Sequence, residues 1–353
     1  MSLILGTSAS IIKVSLVILA GAAVLTGLNY GSGFLIPLVV AFMVANILEA
    51  LIERLERLDL SSVVAVPLAI LIVLFVLASF VFIVINQVDA FTSAWPRYLE
   101  RLRTLFSTVM AGVGADFAQR IQTSLAGLDL ASRLSLAIGS AGTVLLNLGL
   151  VMLYAGFLLV ERGRVFQRLV ALGSTEDQRA DLANALIGVS NGIRQYLFVK
   201  TAVSLATGLT SYVILRALNL DFAETWAVII FLLNYIPSIG SALGVIFPAL
   251  LALVQFDTLT PFLIIAVFLA LVQFTIGNVI EPMLMGRSLN LSPFVIIVSL
   301  TFWGSVWGIT GAFLAVPMTS ALVILCREIN GCKWVAILLS NDDTAHCDQT
   351  KAC

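Results

Sequence analysis

Charged side chains are scarce in this sequence: Asp, Glu, Lys and Arg together make up 11% of its 353 residues. Soluble domains carry about 25% charged residues. Hydrophobic residues make up 60% of the chain, and the mean hydropathy is +1.08. This composition excludes an ordinary soluble domain and indicates a polytopic membrane protein surrounded by the lipid bilayer. The net charge of −1 and the lack of a Lys/Arg run exclude a nucleic-acid partner.

Histidine is almost absent, since His346 near the polar C-terminal end is the only one. Its position excludes Ser–His and Cys–His catalysis within the membrane, and also histidine metal sites. The chain has no Gly-Lys-Ser/Thr phosphate-binding loop, which excludes ATP hydrolysis by that route. The sequence therefore predicts neither an enzyme nor a metal or other cofactor.

Long apolar runs predict an all-α fold with about eight membrane segments. Helices of about 20 apolar residues cross a bilayer. Six runs fit this length: residues 11–28, 34–51, 63–85, 141–160, 198–215 and 261–276. Residues 222–254 and 293–325 are longer and have a polar or Gly-rich middle, so each predicts two short helices or a re-entrant helical hairpin.

The apolar and polar stretches divide the chain into six predicted regions. These are an N-terminal three-helix membrane region (1–86), an extracytoplasmic amphipathic segment (87–140), a fourth membrane helix (141–160), a cytoplasmic helical segment (161–197), a C-terminal membrane region with broken helices (198–327) and a cytoplasmic tail (328–353). Basic residues cluster in cytoplasmic loops. Lys13, Arg54, Arg57 and the arginines between 162 and 179 fall on one side if both termini are cytoplasmic. The five arginines in 87–140 weaken this argument.

Three clusters interrupt the apolar C-terminal half. Residues 234–241 are NYIPSIGS, residues 277–287 are GNVIEPMLMGR and residues 302–308 are FWGSVWG. Backbone groups freed by Pro or Gly at membrane depth survive only where protein or a watery cavity surrounds them. Broken membrane helices commonly form solute sites near the midplane of the bilayer. The first two clusters are therefore the candidate sites.

Ionisable residues within membrane segments are functional candidates by default. Glu281 immediately precedes Pro282, which removes an amide hydrogen and bends or ends the helix. The Glu281 carboxylate is therefore a candidate proton or cation site, with Arg287 as the neutralising charge. A purely structural Glu281–Arg287 pair at the cytoplasmic interface is the alternative. Lys200, at the start of a membrane helix, is expected to extend to the cytoplasmic surface.

The cluster at 234–241 has two interpretations. Its Asn and Ser side chains can hydrogen-bond a small polar solute, which makes Asn234, Ser238, Gly240 and Ser241 candidate binding residues together with Asn278. Pro237 and Gly240 are also ordinary turn residues, and the sequence alone favours the interpretation of the cluster as a tight turn.

These motifs resemble the autoinducer-2 exporter family of bacterial membrane proteins. Supporting matches are Tyr196-Leu197 with Lys200, Phe302-Trp303-Gly304, Ala315-Val316-Pro317 and Trp95-Pro96-Arg97-Tyr98. The resemblance implies an inner-membrane secondary transporter with about eight membrane segments, both termini cytoplasmic, and a homo-oligomeric assembly, a pentamer being one form. It links members to export of the quorum-sensing molecule autoinducer-2, and some relatives to sodium/proton antiport.

Our working hypothesis is an exporter of a small polar metabolite, driven by the solute gradient or by protons. Asn234, Ser238 and Asn278 would bind the solute, and Glu281 with Arg287 would bind a proton or cation. Helix breaks at Pro237 and Pro282, with Gly240 and Gly286 as close-packing or hinge positions, would allow alternating access. The alternatives are a sodium/proton antiporter and, in another class, a non-transporting membrane scaffold.

Overall fold

The computed structural model describes residues 15–16, 19–110, 141–285, 291–328 and 332–339, and these are almost entirely helical. Helices α1 to α5 are Leu19–Tyr30, Ser32–Glu56, Ser62–Met110, Ala141–Val170 and Glu176–Ala217. Helices α6 to α8 are Ala223–Leu233, Ile239–Gln255 and Leu259–Thr275. A π-helical turn, Ile276–Ile280, joins α8 to the short α9, Glu281–Met285; α10 is Pro293–Glu328 and α11 is Lys333–Leu339.

The apolar character of these helices confirms the predicted fold class. Within the described residues, six helical stretches are long and apolar enough to cross a membrane. Large apolar side chains such as Phe75, Phe82 and Leu271 are exposed at 74%, 66% and 58%, which suits contact with lipid. The protein is an all-α polytopic membrane protein.

The chain forms two compact units, which share several helices. One unit contains Met1–Ala45, Leu153–Ser190 and Asn290–Cys353, and the other contains Asn46–Met152 and Asn191–Leu289. The second unit holds the candidate site. Its hydrophobic core joins α5 through α8 and includes Leu215, Ile230, Ala252 and Leu269, each almost wholly buried.

Residues 222–254 form a helical hairpin, as predicted, made of α6 and α7. The turn is very tight, because a Cβ atom on Gly240 would lie only 1.7 Å from the Leu233 carbonyl oxygen. Ser238 has a positive φ of 61°, which is uncommon for a residue other than glycine. Gly240 thus allows the two helices to approach closely at the turn.

Helix α10 is a second hairpin, because its axis is interrupted at Trp307 and Gly308. Gly308 has φ 62° and ψ −142°, a conformation that favours glycine. A Cβ on Gly311 would lie 1.9 Å from the carbonyl oxygen of Trp303. In a continuous helix, eight residues would separate these positions by about 12 Å. The Trp303 indole also donates to Thr319 Oγ1 at 3.1 Å, which supports a reversal of the chain.

Helix α3 continues well beyond its apolar part. It runs for 49 residues without a break, so the predicted boundary between regions 1–86 and 87–140 falls inside it. The composition changes near residue 86, but no turn-forming cluster follows there, and a change in polarity alone does not end a helix. Residues 111–140 of the predicted amphipathic segment lie outside the described residues.

Candidate functional site

A cavity of about 570 Å³ with polar and apolar walls lies within the second unit, next to the turn between α6 and α7. The predicted site residues on its wall are Asn234, Pro237, Ser238, Ser241, Asn278 and Glu281. Lys200 and Gln273 complete its main polar groups. The structure therefore brings residues from both predicted clusters to one cavity.

The strongest electrostatic feature of this cavity is an ion pair between two membrane helices. Lys200 Nζ, on α5, lies 2.5 Å from Glu281 Oε1 at the start of α9. The exposed fractions of the two side chains are only 5% and 18%. The expectation that Lys200 extends to the cytoplasmic surface is thus wrong, since it is buried against Glu281. A buried charge is costly to remove from water, and an opposite charge at hydrogen-bond distance offsets that cost.

Glu281 pairs with Lys200 within the described residues, and the expected Glu281–Arg287 pair stays a prediction. Arg287 and Gly286 lie outside the described residues. The sequence did not identify Lys200 as a partner of Glu281, because 81 positions separate the two residues. Adjacency along the chain pointed to Arg287, whereas the packing of α5 against α8 and α9 supplies the partner.

Helix α5 carries a buried polar stripe that the sequence analysis missed. Lys200, Ser204, Thr207 and Ser211 are exposed at 4%, 0%, 0% and 1%. Their spacing of four, three and four residues places them on one helical face. That spacing on an apolar membrane helix was the available signal. Ser204 Oγ accepts a hydrogen bond from Asn234 Nδ2 at 3.0 Å, which fixes the Asn234 amide beside the cavity.

The π-helical turn determines the placement of Asn278 and Glu281. The Glu281 amide donates to the carbonyl of Ile276, five residues earlier, instead of four. Pro282 has no amide hydrogen and so cannot continue a regular α-helical ladder at this point. π-Helical turns occur frequently at functional sites. Pro282 itself does not line the cavity, and the helix bends through the turn but continues into α9.

Gly240 also lies away from the cavity wall. It is buried, and its place in the fold is the close approach to Leu233 described above. Gly240 therefore allows close packing at the turn, while Ser238 and Ser241, on either side of it in the sequence, line the cavity.

Two buried hydroxyl groups flank the ion pair. Tyr196, one helical turn before Lys200, is 2% exposed, and its hydroxyl has no hydrogen-bond partner in the described part of the chain. Tyr235 OH lies 2.7 Å from Thr201 Oγ1. The cavity therefore combines one neutralised ion pair with several amide and hydroxyl groups, an arrangement that can bind a polar solute without net charge.

The sequence that forms this site matches a known protein family. The profile of the AI-2E family transporters matches residues 14–331. The chain belongs to this family. Family membership and the apolar helices make the protein a multi-pass membrane transporter of the bacterial inner membrane.

Several bacterial relatives align along most of the chain. The AI-2 transport protein TqsA of Escherichia coli (strain K12) is 30% identical over 328 residues, which cover 90% of this chain and 92% of TqsA. YhhT of the same organism is 29% identical over 321 residues, or 90% of each chain. PerM, also from Escherichia coli (strain K12), is 25% identical over 313 residues, covering 82% of this chain and 86% of PerM.

Proposed function

We propose that this AI-2E family transporter exports a small, polar, uncharged metabolite through the cavity at the α6–α7 turn, coupled to protons at Glu281. The observation that carries the proposal is the buried Lys200–Glu281 pair, together with several amide and hydroxyl groups, on the wall of a cavity between membrane helices. Autoinducer-2, which the name of the relative TqsA gives as its cargo, is a solute of this class.

The wall chemistry supports a neutral solute. Lys200 and Glu281 neutralise each other, and the remaining polar groups on the wall are amides and hydroxyls from Asn234, Ser238, Ser241, Gln273 and Asn278. Amides both donate and accept hydrogen bonds, and hydroxyls do likewise, so together they match a solute rich in hydroxyl or carbonyl groups. A charged solute would have to be desolvated with no uncompensated opposite charge on this wall.

Coupling follows from the ion pair. Protonation of Glu281 removes its negative charge. The electrostatic attraction that holds Lys200 beside α9 is then lost. A proton and a solute that favour different arrangements of these helices would be linked through that equilibrium. Glu281 is the proton-binding group of this proposal; Lys200 is its partner within the described residues, and Arg287 stays the proposed second balancing charge.

The decisive experiment measures solute efflux from proteoliposomes at several pH values. We expect Glu281→Gln to transport with a flat pH profile, because the neutral amide mimics a permanently protonated carboxyl group. Glu224→Gln is the matched control, since Glu224 lies on α6 but not on the cavity wall, and it should keep the native profile. Unchanged pH dependence in Glu281→Gln would contradict proton coupling at this residue.

Sodium/proton antiport is the second candidate, because the Glu281 carboxylate and neighbouring amide oxygens are also suitable ligands for a hard cation. Acid pulses applied to everted vesicles with and without sodium separate the two functions. Sodium-dependent dequenching of a pH dye, abolished by Glu281→Gln, would favour antiport. Sodium-independent solute movement would favour export. A non-transporting scaffold would tolerate Ala at Asn234, Asn278 and Glu281 together.

The arrangement of the chain and its assembly complete the proposal. Both termini are proposed to be cytoplasmic, on the basis of Arg54, Arg57 and the arginines between 162 and 179. A homo-oligomer, with a pentamer as the form suggested by the family resemblance, is proposed as the working assembly. Native mass spectrometry of the detergent-solubilised protein would give the number of subunits.

A further inference from the structure

A second cavity lies apart from the proposed solute site, at the junction of the C-terminal end of α2 and the first half of α5. Its volume is about 510 Å³. Three guanidinium groups line it, from Arg54, Arg57 and Arg194, with a single carboxylate from Glu53. The proposed transport function does not use this concentration of positive charge.

The single carboxylate is already engaged. Arg194 donates to both oxygens of Glu53, with Nη1 at 3.0 Å and Nη2 at 2.7 Å. This two-pronged bond neutralises the pair and holds α5 against α2. Arg54 and Arg57 remain on the wall with no ion pair to a carboxylate in the described part of the chain. The cavity therefore has an excess of two positive charges at one edge.

The rest of the wall is divided by chemistry. Asn191 and Gln195, one turn apart on α5, contribute amide groups next to the arginines. Ile47, Ala50, Leu197 and Phe198 contribute an apolar wall. Phe198 is exposed at 63% and Ile47 at 39%, so this wall is accessible from the lipid side of the helices. A ligand that satisfies both parts has an anionic head and an apolar tail.

We propose that this cavity binds an anionic phospholipid, with its phosphate at Arg54 and Arg57 and an acyl chain along Ile47 and Phe198. Guanidinium groups bind phosphate oxygens in a two-pronged geometry that ammonium groups do not reproduce. Basic pockets between membrane helices are known to select lipid headgroups of this charge. A free phosphate would satisfy the arginines but would leave the apolar wall bare.

The site also touches the proposed transport path. Thr201 lies on this cavity wall, and its hydroxyl group contacts Tyr235, next to Asn234 of the solute cavity. Lys200, the adjacent residue on α5, lies on the wall of the solute cavity. Occupation by lipid would thus hold the helix that separates the two cavities.

The test uses the full chain in detergent, titrated with phosphatidylglycerol, with phosphatidylcholine and with soluble glycerol phosphate, and read by native mass spectrometry and by the thermal midpoint. We expect preferential binding of phosphatidylglycerol. The double variant Arg54→Gln/Arg57→Gln should bind it roughly thirty-fold more weakly, because each basic residue near an anionic surface contributes about 1 kcal/mol. Arg164→Gln/Arg168→Gln, which removes two exposed arginines outside the cavity, should bind as the native protein does.

Three results would overturn the proposal. Equal binding of phosphatidylglycerol and phosphatidylcholine would remove the role of the phosphate charge. Native affinity in Arg54→Gln/Arg57→Gln would remove the role of these arginines. Glycerol phosphate that binds and stabilises as well as the lipid would show a soluble phosphate ligand and no use of the apolar wall. Retained far-ultraviolet circular dichroism and solute efflux in the double variant would show that it folds.

Discussion

At the scale of single residues, the buried Lys200–Glu281 pair is expected to have a large energetic consequence. Both side chains are mostly buried, so each depends on the other to compensate its charge. Breaking a buried pair by removing one partner typically costs about 3–5 kcal/mol, while replacing both with apolar residues is often nearly neutral. The pair is therefore expected to contribute more to function than to net stability.

We predict that Lys200→Met lowers the stability by about 3 kcal/mol or more, because Glu281 is left buried without its partner. Lys200→Met/Glu281→Leu should recover most of that loss. Thermal unfolding of the two single variants and the double variant in detergent gives the coupling between the residues. Additive effects of the two single changes would mean that the side chains do not interact.

We predict that Gly240→Ala destabilises the α6–α7 hairpin by about 1–3 kcal/mol, since its Cβ would overlap the Leu233 carbonyl oxygen and the backbone must move. Gly163→Ala on α4 is the control, because no atom lies within 4 Å of its added Cβ and alanine favours the helix. The measurement is the thermal midpoint. A Gly240→Ala midpoint equal to the native value would contradict the tight turn.

Most of the polar residues on the cavity wall could be predicted from the sequence, but their contacts could not. Asn234, Ser238, Asn278 and Glu281 were predicted from their positions at helix breaks, and they share one cavity. The partner of Glu281 was not predictable, because a contact between positions 200 and 281 depends on how the helices pack. Gly240 was predicted both beside the solute and as a close-packing or hinge position; it lies off the cavity wall and packs closely against Leu233.

At the scale of elements, the C-terminal part of α3, from Arg97 onward, contacts both ends of the α6–α7 hairpin. Tyr98 is 2% exposed, and its hydroxyl donates to Asp221 Oδ2 at 2.5 Å. Arg97 also contacts Asp221 at 3.3 Å, and Arg101 contacts Asp257 at 3.1 Å. Asp221 and Asp257 thus each have a basic partner on α3, although the Asp257 side chain remains 93% exposed.

We predict that strong alkali weakens the hydrogen bond from Tyr98 to Asp221. Burial, followed by the hydrogen bond to Asp221, raises the pKa of Tyr98 to about 12. A raised pKa means that the stabilisation is complete below about pH 10, the value for an exposed tyrosine, and is lost as the pH rises towards 12. The thermal midpoint of the native protein should therefore fall more steeply between these values than that of Tyr98→Phe.

The Tyr98→Phe comparison also has a result at neutral pH. Loss of the hydrogen bond to a charged acceptor should lower the stability by about 1.5–3 kcal/mol. Equal slopes for the two proteins in alkali would show that Tyr98 is not the titrating group. Thr104→Val, which alters a hydroxyl group on the same helix, is the control for general effects on α3.

Hydropathy accounts for most elements, and its failures have a shared cause. The hairpins at 222–254 and 293–325 were predicted because Pro, Gly and polar residues interrupt runs too long for one crossing. The apolar span at 63–85 was predicted, but the continuation of α3 to Met110 was not, because hydropathy reports the surroundings of a helix and not its hydrogen bonds. The same limit explains the π-helical turn, which has no signature except Pro282 and Gly277 near its ends.

At the scale of the whole molecule, the contacts of the second unit constrain its topology. Both ends of the α6–α7 hairpin contact the C-terminal part of α3, at Asp221 and Asp257, so the hairpin returns to the side from which it started. The Arg194–Glu53 pair joins α5 to the end of α2. Helix α3 begins at Ser62, soon after that end, and reaches Arg97 after an apolar stretch long enough to cross a membrane.

These contacts predict that Ser61 and Thr258 lie on opposite sides of the membrane, with Ser61 in the cytoplasm. Both residues are exposed in turns between helices, so a cysteine at either position would be accessible.

In a variant in which the four native cysteines are replaced by serine, a membrane-impermeant maleimide should label Thr258→Cys in intact cells. Ser61→Cys should react only after permeabilisation. Labelling of both cysteines from outside would contradict a membrane crossing by α3 between Ser61 and the hairpin, and it would place the α2–α5 cavity with its arginines outside as well. Because an anionic headgroup site at that cavity requires only lipid and not a particular leaflet, the lipid-binding measurement would remain a separate test of those arginines.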